Sequence, residues 1–156
     1  MRPGTGKRQE FKLCPNRNER KIMTLKIEHI GIAVNNIKES VSKFTMLGLE
    51  LKEVEEVEVE NVTYKVAFLT EGNINIELVN TTAKNSLVTD WLEKHGEGVF
   101  HLAFEVADLE KTFAQLQSQG VKFVWNEIKN GSRETRIALI QPEEFNGVYI
   151  ELVQKK

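Results

Sequence analysis

The chain contains three histidines, and two of them, His29 and His101, stand 72 residues apart in segments that read alike. IEHIGIAV at 27–34 lies over VFHLAFEV at 99–106, histidine on histidine. Two glutamates recur in the same way at an offset of 74, Glu77 in INIELV and Glu151 in VYIELV. Each histidine opens a strand-like run, and strand alternation puts each glutamate on the face opposite its isoleucine and leucine neighbours. If two halves pack with pseudo-twofold symmetry, two imidazoles and two carboxylates converge on one cavity. That donor set, with positions left for water or substrate, suits a divalent first-row metal, and its oxygen content favours cobalt, nickel, manganese or zinc over copper. An open coordination position is what a Lewis-acid catalyst requires. A lone strand histidine or glutamate is ordinarily half-buried or solvated, so the case for these four rests on their recurrence. His95 has no counterpart and reads as a helix-end residue.

The same offset aligns the elements that must hold these side chains. Asn36 falls on Asp108, Ile37 on Leu109, Val41 on Phe113, Phe44 on Leu116 and Gly48 on Gly120. A polar cap, apolar residues at i, i+4 and i+7 and a glycine stop mark one amphipathic helix in each half. Glu39, three residues beyond Asn36, adds a capping-box-like pairing. Strand-like runs at 49–59 and 62–69 follow the first glycine, and runs at 121–125 and 136–140 follow the second. The pattern is a β-α-β-β-β unit used twice, at 25–80 and 98–153, joined by a linker at 81–97 with a helix at 86–95. The expected fold is α+β, a single domain over 23–156 whose cupped, mostly antiparallel sheet surrounds a metal site.

Composition sets outer bounds. With 156 residues, 40% hydrophobic and 28% charged, the chain is of ordinary globular type and long enough for a real core. Its single cysteine, Cys14, allows neither an internal disulfide nor a cysteine-based zinc motif. No apolar run approaches a membrane span and no secretory signal is visible, so the expectation is a cytoplasmic protein without a membrane partner. Residues 1–22 carry seven Lys or Arg against two Glu, a net of +5, so a total of −2 leaves −7 on residues 23–156. This basic leader, followed at once by Met23, reads as a mobile tail or a non-native start. Aromatic residues are too few in it for a nucleic-acid-binding arm, and no nucleic-acid partner is expected.

The segment at 27–34, the two IELV segments, the linker NSLVTDWLEKHGEG at 85–98, and Gln141-Pro142 followed by Gly147-Val148 together resemble the vicinal oxygen chelate superfamily. That group includes glyoxalase I, bleomycin-resistance proteins, extradiol dioxygenases and methylmalonyl-CoA epimerase. The resemblance covers about residues 25–153 and is greatest to the epimerase and its glyoxalase-like relatives. It implies metal ligation by His29, Glu77, His101 and Glu151, and a homodimer acting on a small molecule, either an acyl-CoA thioester or a glutathione adduct. For an epimerase it implies loss of the proton alpha to the thioester carbonyl, an enolate stabilised by the metal's charge, and return of a proton to the opposite face. Glu151 would be one acid/base group. The family draws the other from the strand before that of Glu77, where VTYKVAF at 62–68 has no carboxylate. Either Lys65 or Tyr64 substitutes, or the base comes from elsewhere, or the reaction differs.

Phe100 stands where the family commonly shows a second histidine, which makes the pocket wall more apolar. Lys129, Arg133 and Arg136, around Asn130-Gly131, are the dense basic set available to a CoA ester, and otherwise form a solvated turn. The acidic body gives such a substrate no long-range attraction. Two alternatives stand beside the epimerase. One is a glyoxalase I-type enzyme, in which a ligand glutamate serves as base. The other is a metal-free binding protein of the bleomycin-resistance type, against which the retention of all four candidate ligands argues.

Overall fold

The computed structural model describes residues 25–156, so the basic leader expected at 1–22 lies outside the described residues. The first half runs β1 (Lys26–Ala33), α1 (Ile37–Met46), β2 (Glu50–Val59), β3 (Val62–Glu71) and β4 (Ile74–Asn80). After α2 (Leu87–His95), the second half runs β5 (Gly98–Glu105), α3 (Leu109–Ser118), β6 (Lys129–Asn130), β7 (Thr135–Ile140) and β8 (Tyr149–Lys155).

Helices α1 and α3 start and stop for the same local reasons. The Asn36 side chain accepts the Glu39 N–H at 3.1 Å and the Asp108 side chain accepts the Lys111 N–H at 2.9 Å, satisfying one orphan donor at each N-terminus. Beyond each C-terminus, Gly48 and Gly120 take φ values of 97° and 86°, a left-handed conformation that glycine adopts without strain. The capping box expected at Asn36 is only half formed, because the Glu39 carboxylate turns outward to Lys43 at 2.7 Å. A complete reciprocal box occurs instead between Ser86 and Thr89 at the start of α2.

All eight strands join one curled sheet in the order β2-β3-β4-β1-β5-β8-β7-β6. Exchanging the halves leaves that order unchanged, so a pseudo-twofold axis passes between β1 and β5. The β1–β4 and β5–β8 pairs are parallel and the rest antiparallel. Ile37 of α1 packs with Val34, Ala67, Leu69, Ile76 and Leu78 of the sheet side; Leu109 of α3 packs with Val106, Phe123, Ala138, Ile140, Ile150 and Leu152. A third apolar cluster, with Val66, Phe68, Val79, Val88 and Phe100, lies on the other side of the first half, beneath α2. No helix among the described residues is long and apolar enough to cross a membrane.

The second half departs from the expected strands. The run at 121–125 makes only a single bridge, Phe123 to Ile140, and β6 is two residues long. Polar Asn126 and Glu127 interrupt the run, and the Glu127 carboxylate turns to the Lys129 ammonium. Where the first half reverses on Gly72-Asn73, the second inserts a 3-10 helix, Pro142–Phe145, before β8.

Leu78 and Leu152 are equivalent, with exposures of 0% and 2%. Truncating either to alanine leaves a cavity under a helix and is expected to cost about 2–5 kcal/mol of unfolding free energy, measured by urea denaturation. A loss below about 1 kcal/mol at either position contradicts this packing.

Candidate metal centre

Strands β1 and β5 carry the two histidines, and each bulges one residue before its histidine. In their pairing, Ile27 faces Phe104 and His29 faces Ala103, which leaves Glu28 without a partner; Gly31 faces His101 and Ile32 faces Val99, which leaves Phe100 without one. Glu28 and Phe100 are themselves 72 residues apart, so the irregularity is duplicated along with the histidines. A bulge re-aims side chains and brings two neighbours toward one side of the strand. Glu28 and His29 are accordingly both buried, as are Phe100 and His101.

The register then builds two rows. His101 faces Gly31, whose other neighbour is Glu77 on β4; His29 faces Ala103, whose other neighbour is Glu151 on β8. In both rows the residue between imidazole and carboxylate is minimal. A Cβ on Gly31 would fall 2.1 Å from His101 Cε1, so the glycine is the space in which that ring lies.

The four side chains meet at their polar ends. His29 Nε2 and His101 Nε2 are 2.9 Å apart. Glu77 Oε2 lies 3.2 Å from His101 Nε2 and 3.5 Å from His29 Nε2, while Glu151 Oε1 lies 3.8 Å from His29 Nε2. Ligand atoms bound at about 2.0–2.2 Å to one cation stand roughly 3 Å or slightly more from each other, which is the spacing among His29, His101 and Glu77, while His29, His101 and Glu151 offer ligand atoms that all lie within 4.8 Å of one another. Both imidazoles present the same atom, Nε2, and His29 has its other nitrogen engaged, with Nδ1 at 2.5 Å from Glu28 Oε2. Nitrogen and carboxylate oxygen without sulfur suit a borderline divalent ion. On these grounds the residues fit such an ion.

The electrostatics are those of a cluster built around positive charge. Burial disfavours the charged form of His29, but the carboxylates of Glu77, Glu28 and Glu151 outweigh it and push the imidazole up to about 10. Burial likewise opposes ionisation of Glu28, yet His29 and Arg133 bring it down to about 2. Glu77, also buried, is held well below the usual range by the two histidines. Glu151 moves the other way: burial, with Glu77 and Glu28 nearby, outweighs both histidines and raises it. A cation would compete with the proton for the same lone pairs.

Beside the cluster is an open-mouthed cavity with a mainly apolar wall that includes Val57, Tyr64, Val66, Phe100, Trp125 and Ile137, and with Glu77, His101, Ser132 and Glu151 among its polar groups. This is the usual constitution of a small-molecule site.

Other residues singled out in the sequence are distributed unevenly. Phe100 is part of the cavity wall. Lys65 is exposed on β3, one step out of phase with Phe68, which faces Glu77 across the β3–β4 pair; its side chain therefore points to the far face and is not brought to the site. Tyr64 lines the cavity, with its hydroxyl engaged by Ser86 and the Leu87 backbone. Lys129 is paired with Glu60 and Glu127, and Arg136 reaches Glu110 on α3, so neither presents a free cation to the cavity. Only Arg133 of that basic set reaches the histidine layer, and it does so behind His29, with Nη2 at 2.7 Å from Glu28 Oε2. Sequence reasoning passed over Glu28, because regular alternation places it on the face opposite His29. Its superposition on Phe100 was the available signal.

Known proteins share the sequence pattern and the fold. The profile of the glyoxalase/bleomycin resistance protein/dioxygenase superfamily matches residues 28–139. The Bacillus subtilis (strain 168) uncharacterized protein YqjC is 36% identical over 132 residues, 84% of this chain and 93% of that protein. The ethylmalonyl-CoA/methylmalonyl-CoA epimerase of Cereibacter sphaeroides is 28% identical over 132 residues, 83% of this chain and 97% of the relative. Among solved structures, a Streptomyces coelicolor methylmalonyl-CoA epimerase variant in complex with 2-nitronate-propionyl-CoA superimposes with a TM-score of 0.76 at 32% identity, covering 86% of this chain and 96% of the other.

Gly31→Ala is expected to displace the His101 ring and weaken divalent-metal binding at least about 10-fold, whereas Ala103→Gly is expected to leave it nearly unchanged. Competition with a chromophoric chelator measures both, and equal affinities in the two variants would contradict the role given to Gly31.

Proposed function

The chain belongs to the glyoxalase/bleomycin resistance protein/dioxygenase superfamily, and from that membership we propose that it is a divalent-metal-dependent epimerase that moves the proton alpha to the thioester carbonyl of a malonyl-CoA-type substrate, as methylmalonyl-CoA epimerases do. The observation that carries this proposal is the meeting of His29, Glu77, His101 and Glu151 beside one cavity, in contacts of 2.9 to 3.8 Å. Relatives named as methylmalonyl-CoA epimerases support the substrate class.

These four residues would hold the ion, which when bound supplies positive charge beside the oxygen that becomes negative as the proton leaves. The rest of the chemistry belongs to the chain. Glu151, a carboxylate in the cavity wall beside the histidine pair, is assigned the first transfer, since a base must stand within reach of the proton it takes. Inversion needs a second group on the opposite side. With Lys65 facing away, Glu77 is the other carboxylate of the cavity wall among the described residues. It is related to Glu151 by the pseudo-twofold axis and lies on the opposite flank of the histidine pair, so it is assigned the second transfer. The apolar wall around Phe100 and Val66 keeps bulk water from the reactive carbon. The proposal includes a cytoplasmic homodimer; Ile27 and Val99, equivalent residues exposed on β1 and β5, are apolar surface such a dimer would cover.

A glyoxalase I-type reaction is the second reading. It is favoured by two observations: the two acid/base candidates are both members of the four-residue cluster, and Lys129 and Arg136 are engaged by carboxylates rather than free to meet CoA phosphates.

The metal-loaded protein, incubated with methylmalonyl-CoA in deuterated water, is expected to place deuterium at the alpha carbon. Glu151→Gln should reduce that rate by about 10²–10⁴-fold, and prior removal of the ion by chelation should abolish it. No label with methylmalonyl-CoA, together with turnover of methylglyoxal and glutathione, would move the assignment to the second reading.

A further inference from the structure

Glu28 and Arg133 take no part in the proton transfers assigned above, yet both are packed into the same layer as His29. Glu28 Oε2 is 2.5 Å from His29 Nδ1 and accepts from Arg133 Nη2 at 2.7 Å. Lys155 Nζ stands 3.7 Å from the other oxygen, Glu28 Oε1. The Arg133 guanidinium lies 3.7 Å over the Phe68 ring, which in turn meets the His29 ring edge-on at 5.6 Å. The backbone also fixes Arg133: its N–H donates to Glu55 Oε1 at 2.8 Å, and its φ of 50° places it in the left-handed region. In the second half the equivalent bulge carries a phenyl ring. Phe100 offers His101 no acceptor, and His101 Nδ1 is buried without a hydrogen-bond partner.

We propose that Glu28 is a positioning residue of the metal centre: it fixes the His29 ring with Nδ1 as donor and Nε2 as the free lone pair, and Arg133 holds Glu28 in that pose. The two histidine arms are thereby unequal, one clamped from behind and one held only by packing. An imidazole whose second nitrogen donates to a carboxylate is both oriented and made a stronger donor, and loss of such a partner typically weakens metal binding by about 10–100-fold. Arg133 balances the charge of Glu28, which would otherwise be a buried anion with too few partners. The inference rests on the metal-dependent reading above and concerns how the ion is held, not which reaction follows.

The test uses zinc and the full chain. Zinc affinity is measured by chelator competition for the wild type, Glu28→Ala, Glu28→Gln and Arg133→Met, and ring-proton NMR of the zinc-loaded proteins reads the imidazole tautomers. The wild type is expected to show a slowly exchanging Nδ1 proton on His29 and none on His101. Glu28→Ala is expected to lose that proton and to bind zinc about 10–100-fold more weakly; Glu28→Gln, which keeps a neutral acceptor, should keep the proton and lose roughly threefold to tenfold. Arg133→Met should fall between wild type and Glu28→Ala. If Glu28→Ala does not fold, the glutamine variant carries the comparison. Zinc affinity within twofold of wild type in folded Glu28 variants, with the His29 proton unchanged, overturns the positioning role alone. Failure of the wild type to bind zinc, cobalt or nickel overturns the metal reading and this inference with it.

Discussion

Two imidazoles and two carboxylates, each better solvated in water, are brought together in a site with little exposure, His29 touching the other three at 2.9 to 3.8 Å and Glu77 touching both histidines. Opposite unit charges at roughly 3.5 Å attract by about 5 kcal/mol at an effective dielectric near 20, which is comparable with the cost of burying them. The cluster therefore persists only if its geometry is enforced. Much of the surrounding architecture can be understood as that enforcement. Gly31 and Ala103 clear the floor between each histidine and its glutamate, the paired bulges turn a second side chain toward each imidazole, and α1 and α3 pack on the opposite face, where they leave the cavity open.

The duplication was legible because helices and closing strands obey local rules. An Asn or Asp cap, a 3.6-residue apolar period and a left-handed glycine specify α1 and α3 without reference to the rest of the chain, and the IELV pattern fixes which face of β4 and β8 bears its glutamate. What was not legible depends on departures from those rules. Strict alternation would put Glu28 on the face opposite His29, and the bulge that overturns this is a property of a strand pair and not of either strand's composition. The same alternation, applied to β3, would have excluded Lys65. The short β6 arises where the polar pair Asn126-Glu127 breaks a run whose flanks, Val121 to Val124 and Ile128, still look strand-like. Arg133 could not be separated from Arg136 by sequence, because the turn between β6 and β7, with Arg133 and Glu134 both at positive φ, decides which guanidinium faces inward.

The halves have diverged where symmetry matters least to the fold and most to the site. The core residues under α1 and α3 correspond almost one to one, Val34 with Val106, Ile37 with Leu109 and Leu78 with Leu152, because each helix must seal an equivalent stretch of sheet. Behind the histidines the correspondence fails: a carboxylate in one half, a phenyl ring in the other. The first half keeps a long hairpin turning on Glu60-Asn61, whereas the second shortens its hairpin and uses the turn to send Arg133 across to Glu28. Duplicated binding arms thus carry unequal environments, which is how two chemically identical imidazoles in one cavity come to differ.

The distribution of cations gives the asymmetry a consequence for catalysis. A proton leaving a carbon next to a carbonyl deposits negative charge on oxygen, and something positive must stand there. The basic residues expected to supply positive charge around the cavity are otherwise engaged: Lys129 with Glu60 and Glu127, Arg136 with Glu110, and Arg133 with Glu28. The acidic body adds no favourable field. In the proposed reaction the charge that meets the developing anion would come from an ion held by His29, Glu77, His101 and Glu151. Its placement is only as definite as the orientation of those four side chains. Of the two histidines, His29 is the one whose orientation is imposed from behind by hydrogen bonds, whereas His101, without a partner at Nδ1, is held by packing against Gly31, so the two halves of the duplication would hold the ion by different means.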